Sequence, residues 1–80
     1  MSLDSMRMPD IIISDTCLRK IEQKHGVELE YAVQGVKNAK RWRKVSGRYE
    51  ASSSTDAGRC IFVVVDRLTD RWEIVTAWWP

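Results

Sequence analysis

The stretch "RCIFVVVD" (59–66) decides the fold. Five consecutive apolar residues, Ile61 to Val65, are too few for a core helix and rich in β-branching, so the run predicts a strand covered on both faces, at the centre of a sheet. Turn chemistry bounds it on each side: "TDAG" (55–58) before and "RLTD" (67–70) after. Outward from those turns lie two alternating segments. "GRYEASSS" (47–54) sets Tyr49, Ala51 and Ser53 on one face, and "RWEIVTAWW" (71–79) sets Trp72, Ile74, Thr76 and Trp78 against Glu73, Val75, Ala77 and Trp79. The expectation is an antiparallel meander of three strands.

Ahead of the meander the period changes. In "DTCLRKIEQKHG" (15–26), Leu18, Ile21 and Cys17 form a stripe opposite Arg19, Lys20, Glu22, Gln23 and Lys24, with Ser14 or Asp15 as N-cap and Gly26 as the stop. A second helix is predicted in "ELEYAVQGVKN" (28–38), where Leu29, Ala32, Val33 and Val36 recur at i, i+3, i+4, i+7 and Gly35 permits close packing. "IIIS" (11–14) reads as a brief strand or an anchored lead-in, and residues 1–10 as a flexible leader to a single domain over 11–80. The fold class is therefore α+β: two N-terminal helices packed on one face of a small antiparallel sheet of three to four strands.

Eighty residues allow one small core. The net charge of +2 is unevenly spread: residues 1–36 carry four Lys/Arg against six Asp/Glu, and 37–80 carry nine against five. "KNAKRWRKVSGR" (37–48) holds six basic residues and no acidic one, which favours a polyanion or an acidic partner. Cys17 and Cys60 match neither a disulfide framework nor zinc spacing and are expected to be buried, reduced apolar residues of a cytoplasmic protein. No apolar run reaches membrane-spanning length, so no membrane partner is expected.

The order of "KHGVELE" (24–30), "GRY" (47–49), "TDAGRCIFVVV" (55–65) and "WEIVTA" (72–77) resembles the BrnT-like toxins of bacterial type II toxin–antitoxin systems, within the RelE-like group of ribonucleases. The likeness covers about residues 12–77. It implies an endoribonuclease that acts on mRNA, at the ribosome or free of it, through attack by an RNA 2′-hydroxyl, without metal or cofactor. It also implies a cognate acidic antitoxin. After Ala77, where BrnT-like chains carry an arginine, this chain has Trp78, which implies a weakened enzyme.

The residues offer candidates for that chemistry. Arg48, Arg59 and Arg71 are the candidate catalytic, phosphate-contacting groups, because fixed guanidinium groups stabilise charge where it develops. The bland alternative pairs Arg48 and Arg59 with Glu50, Asp66 or Glu73 on the sheet surface. Lys40, Arg41, Arg43 and Lys44 would contact RNA, with Trp42 as a stacking platform or else folded back on the core, and with Trp78 stacking on a base. His25, the sole histidine, reads better as a helix-end residue than as an acid–base group, and Glu73 beside arginines would be a poor base. Tyr49 is expected to pack rather than react. The alternative function is a non-catalytic interaction module of the same fold, whose aromatic C-terminal segment binds a partner or forms a homodimer.

Overall fold

The computed structural model describes residues 10–80. Its elements are β1 (Asp10–Ile13), α1 (Asp15–His25), α2 (Leu29–Asn38), β2 (Arg43–Val45), β3 (Arg48–Ser54), β4 (Cys60–Arg67) and β5 (Arg71–Trp78). They build one sheet in the order β1-β5-β4-β3-β2, so the Val-rich β4 is central, as its two-sided apolarity predicts. The sheet has five strands, more than the three to four expected, and it is mixed. The extra members are β1, which precedes the helices and pairs parallel to β5, and β2, cut from the basic run. β2 was hidden because Arg43, Lys44 and Val45 are all exposed and carry no alternation. Ser46 and Gly47, both at positive φ, close the β2–β3 hairpin in the backbone geometry that a two-residue loop requires. Of the expected leader, residues 1–9 lie outside the described residues, and Asp10 already belongs to β1.

Both helices cover one face of the sheet, α1 against β5 and α2 against β3 and β4. Beneath them Ile21, Val27, Ala32, Val36, Ala51, Ile61, Val63, Val65, Ile74 and Ala77 form the buried core. α1 begins as its sequence indicates, with the Ser14 Oγ accepting from the Cys17 amide at 3.2 Å, and it ends at Gly26 in the left-handed conformation. The stripe of α2 is rotated from expectation. Leu29 is exposed and Gly35 is buried, because Gly35 lies directly on β4. A Cβ at Gly35 would sit 2.8 Å from both Ile61 Cγ2 and Val63 Cγ1. The buried Ser53 Oγ donates to the Gly35 carbonyl at 2.5 Å, which locks the helix to β3 and satisfies the only buried polar side chain among the described residues.

A β-bulge in β5 corrects the predicted facing of the last strand. Val64 pairs with Thr76 while Val65 pairs with Ile74, so Val75 is an inserted residue with no partner on β4. The insertion turns the rest of the strand over. Ile74 and Ala77, three apart, are both fully buried under the helices, whereas strict alternation assigns them to opposite faces. Trp78 thereby joins Glu73 and Thr76 on the uncovered face, and Trp79 returns to the helix side beside Tyr31. The thiols also depart from expectation: Cys60 opens β4 in an exposed position opposite Ser54, and Cys17 is only half-buried.

Candidate nucleic-acid interface

β2 is short, and that exposes the edge on which the candidate site is built. It pairs with Arg48–Glu50 only, so among the described residues the outer edge of β3 from Ala51 to Ser54 has no strand beside it. The connection from α2 to β2 runs along that edge instead. Asn38 Nδ2 ties its beginning to the Ser54 carbonyl at 2.9 Å. Between connection and edge lie two hollows. The first, ≈ 370 Å³, is lined by Asn38, Lys40, Arg41 and Ser52–Ser54. The second, ≈ 460 Å³, is lined by Arg41, Trp42, Arg43, Glu50, Ala51, Ser52 and Phe62. Arg41 and Ser52 line both, so the two form one groove that passes from the strand edge toward the uncovered sheet face.

That face is organised in rows by strand register. At one end Val45, Arg48, Asp66, Glu73 and Ile12 stand side by side, next come Arg43, Glu50, Val64 and Thr76, and then Ser52, Phe62 and Trp78. Phe62 and Trp78 stack with ring centroids 5.4 Å apart and planes 11° from parallel. Arg43 Nη2 holds Glu50 Oε1 at 2.7 Å, and Arg48 Nε holds Asp66 Oδ1 at 3.1 Å. Both pairs are partly exposed and contribute little to stability.

The structure brings Lys40, Arg41 and Arg43 together along the groove and sets Trp78 on the adjoining face. Lys44 lies beside Tyr49, on the opposite side of β2 from Arg43. Trp42 folds back: its ring meets Trp72 edge-on at 5.4 Å, and the Arg67 guanidinium lies 5.5 Å from its centroid, 4.0 Å from Tyr49 and 4.5 Å from Trp72. The second hollow is therefore walled by Trp42 while its ring is already engaged.

The three candidate catalytic arginines are not together. Arg48 and Arg71 share the uncovered face at one end of the sheet, Arg71 held 3.3 Å from Asp70. Arg59 lies at the other end, seven strand positions from Asp66, or about 23 Å at the usual rise. Its guanidinium covers the Trp79 ring at 4.5 Å. His25 ends α1 and lines neither hollow of the groove. Tyr49 packs against the core on the helix side. Glu73 stands beside Asp66 in register, between the two arginines of that end.

Sequence reasoning passed over Asn38, Ser52, Ser54, Glu50 and Phe62. The serine triplet carried a signal, three small polar residues in succession on a strand. Phe62 carried another, as the one aromatic of an otherwise aliphatic run. No group of three or more His, Cys, Asp or Glu able to hold a metal ion occurs among the described residues. None of their helices is long and apolar enough to cross a membrane. No protein-family model matches the chain, and no curated protein matches it in sequence. Chemically, the groove offers three cations, an amide and serine hydroxyls to a chain of phosphates, with two stacked rings beside it.

Proposed function

We propose that this chain is an RNA-directed toxin of the BrnT-like kind, binding single-stranded mRNA along the groove and cleaving it. The observation that carries the reading is the groove itself. Lys40, Arg41 and Arg43 converge there with Glu50 as the sole carboxylate among the described lining residues, and the stacked Phe62 and Trp78 adjoin it. Phosphate-tracking cations beside sequence-tolerant stacking rings are what an unpaired strand requires. The proposed reaction is transesterification. The 2′-oxygen bonds to the adjacent phosphorus, the bond to the 5′-oxygen breaks, and a proton passes from the 2′-hydroxyl to the departing oxygen by way of protein groups or water.

Arg48 and Arg71, on one face at one end, are assigned to stabilise the charge on that phosphate, with Asp66 paired to Arg48, Asp70 paired to Arg71 and Glu73 beside Asp66 in register. Trp78 stands in for the arginine of the toxins this chain resembles, so slow turnover is expected. An acidic antitoxin would engage the same cations, and the setting is the cytoplasm, on or off the ribosome.

The test is a titration of the purified chain with a single-stranded RNA across salt concentrations, followed by a search for cleaved product. Three phosphate contacts predict a slope of about −2 for log affinity against log salt. Lys40→Ala with Arg41→Ala would flatten it. Salt-independent or absent binding overturns the proposal, and binding without cleavage reduces it to an RNA binder.

A second reading rests on the same uncovered face. Phe62, Val64 and Trp78 lie half-buried there and Ile12 is exposed, an apolar band of the sort that protein partners cover. On this reading the chain is a non-catalytic module that forms a homodimer or docks a neighbour-encoded protein. A strict monomer at high concentration that captures no such protein excludes it.

A further inference from the structure

We infer that the larger hollow of the groove is a subsite for one unpaired guanine base; the inference rests on the RNA-binding reading and deepens it. Three observations converge on the hollow. Phe62 lines it with one ring face stacked on Trp78, and the base is assigned to the other face. Glu50 also lines it, as a diagonal cross-strand neighbour of Phe62 on the same face, at a backbone separation of about 7–8 Å. Arg41 and Arg43 complete the charged part of its lining. A base stacked on Phe62 thus presents its edge toward Glu50 while its phosphates face the two arginines.

The choice of base follows from Glu50. An ionised carboxylate only accepts, and it has about four acceptor positions. Arg43 occupies one of them, on Oε1, and this contact orients the group; its side chain is 19% exposed, so it is fixed yet reachable. Guanine is the one RNA base with two adjacent donors, N1–H and N2–H, spaced to meet both oxygens of a carboxylate. Adenine and cytosine offer an amino group next to an unprotonated ring nitrogen, which faces the second oxygen unfavourably. Uracil offers a single N–H between two carbonyls. Ser52 and Arg41, shared with the smaller hollow, lie where the next phosphate would pass.

The experiment titrates four tetranucleotides, UUGU, UUAU, UUCU and UUUU, against the intact chain at one fixed salt concentration. In parallel, amide spectra are recorded with guanosine and adenosine 5′-monophosphate. The expected result is tighter binding of UUGU by about 5- to 150-fold, the range of a bidentate base contact. E50Q, which keeps the side-chain shape, brings UUGU down to the level of UUUU measured on the same variant. F62L weakens all four alike, which separates stacking from edge recognition. Equal affinities for all four, or a guanine preference that survives E50Q, overturn the subsite and leave the RNA reading standing. Guanosine-specific shifts at Glu50, Ser52 and Phe62 without tetranucleotide binding uphold the subsite and overturn the RNA reading. Neither shifts nor binding overturns both.

Discussion

The indole Nε1 of Trp79 donates to the carbonyl of Gly26 at 3.2 Å, which fastens the residue after the last strand to the left-handed turn between the two helices. The same ring meets Tyr31 of α2 at 5.7 Å and carries the Arg59 guanidinium on its face. Trp79→Phe keeps an aromatic ring at the site but loses the hydrogen bond and part of the contact, a cost of about 1 kcal/mol or more. Trp79→Ala loses both and costs about 2–3 kcal/mol, at or below the range for fully buried aromatics because Trp79 is only half-buried. Urea unfolding of the two variants checks the difference.

Gly35→Ala reverses an ordinary helix rule. In an isolated helix the change would stabilise by about 1 kcal/mol. Here the new methyl meets Ile61 and Val63 at 2.8 Å, and both are fully buried, β-branched side chains of the central strand. Overpacking of about 1–3 kcal/mol is expected to win, with a lower unfolding midpoint and unchanged helix content by circular dichroism.

Arg67 stands among Tyr49, Trp72 and Trp42, and no carboxylate among the described residues pairs with it. Its cation therefore acts on rings, and Trp42 is the ring that anchors the basic connection. Arg67→Ala is expected to lower stability by about 1–2 kcal/mol and to loosen residues 39–42. Trypsin should then cut after Lys40 and Arg41 several-fold faster under native conditions, and Arg67→Lys should restore part of the protection. Unchanged digestion would leave the ring contacts with no role in holding the connection.

The distance between Arg48 and Arg59 separates their roles. Arg48→Ala and Arg71→Ala, on one face at one end, should each depress RNA cleavage by tenfold or more while RNA affinity falls much less. Arg59→Ala should leave the cleavage rate of folded protein within twofold and cost about 0.5–1 kcal/mol of stability through the lost Trp79 contact. Single-turnover rates, measured alongside thermal melts, distinguish the two patterns.

The central position of β4, the cap and stop of α1, and the inward set Tyr49, Ala51 and Ser53 were all legible in the sequence, because each follows from local chemistry or from unbroken alternation. The facing of Trp78 and Trp79 was not. One unpaired residue, Val75, inverts the parity after it, and nothing in "EIVTA" distinguishes a bulge from a regular strand. The parallel place of β1 was equally hidden, since "IIIS" states β-propensity without naming a partner. At the candidate site the basic run was visible by composition. Its grouping with Ser52, Glu50 and Phe62 depends on how far β2 extends along β3, a tertiary fact with no local signature.

The pairing of β1 with β5 also orders events in time. Asp10 and Arg71 lie sixty-one positions apart in the chain and become neighbours only at the sheet edge. β2, β3 and β4 follow one another and pair through short local connections. α1 and β1 are synthesised first yet must wait for β5, the strand on which both rest. The closing of the sheet is thus the slow, long-range step. Until β5 docks, Phe62 lacks Trp78 and the stacked pair beside the groove is incomplete. In kinetic terms, the recognition surface and the fold are completed by the same strand.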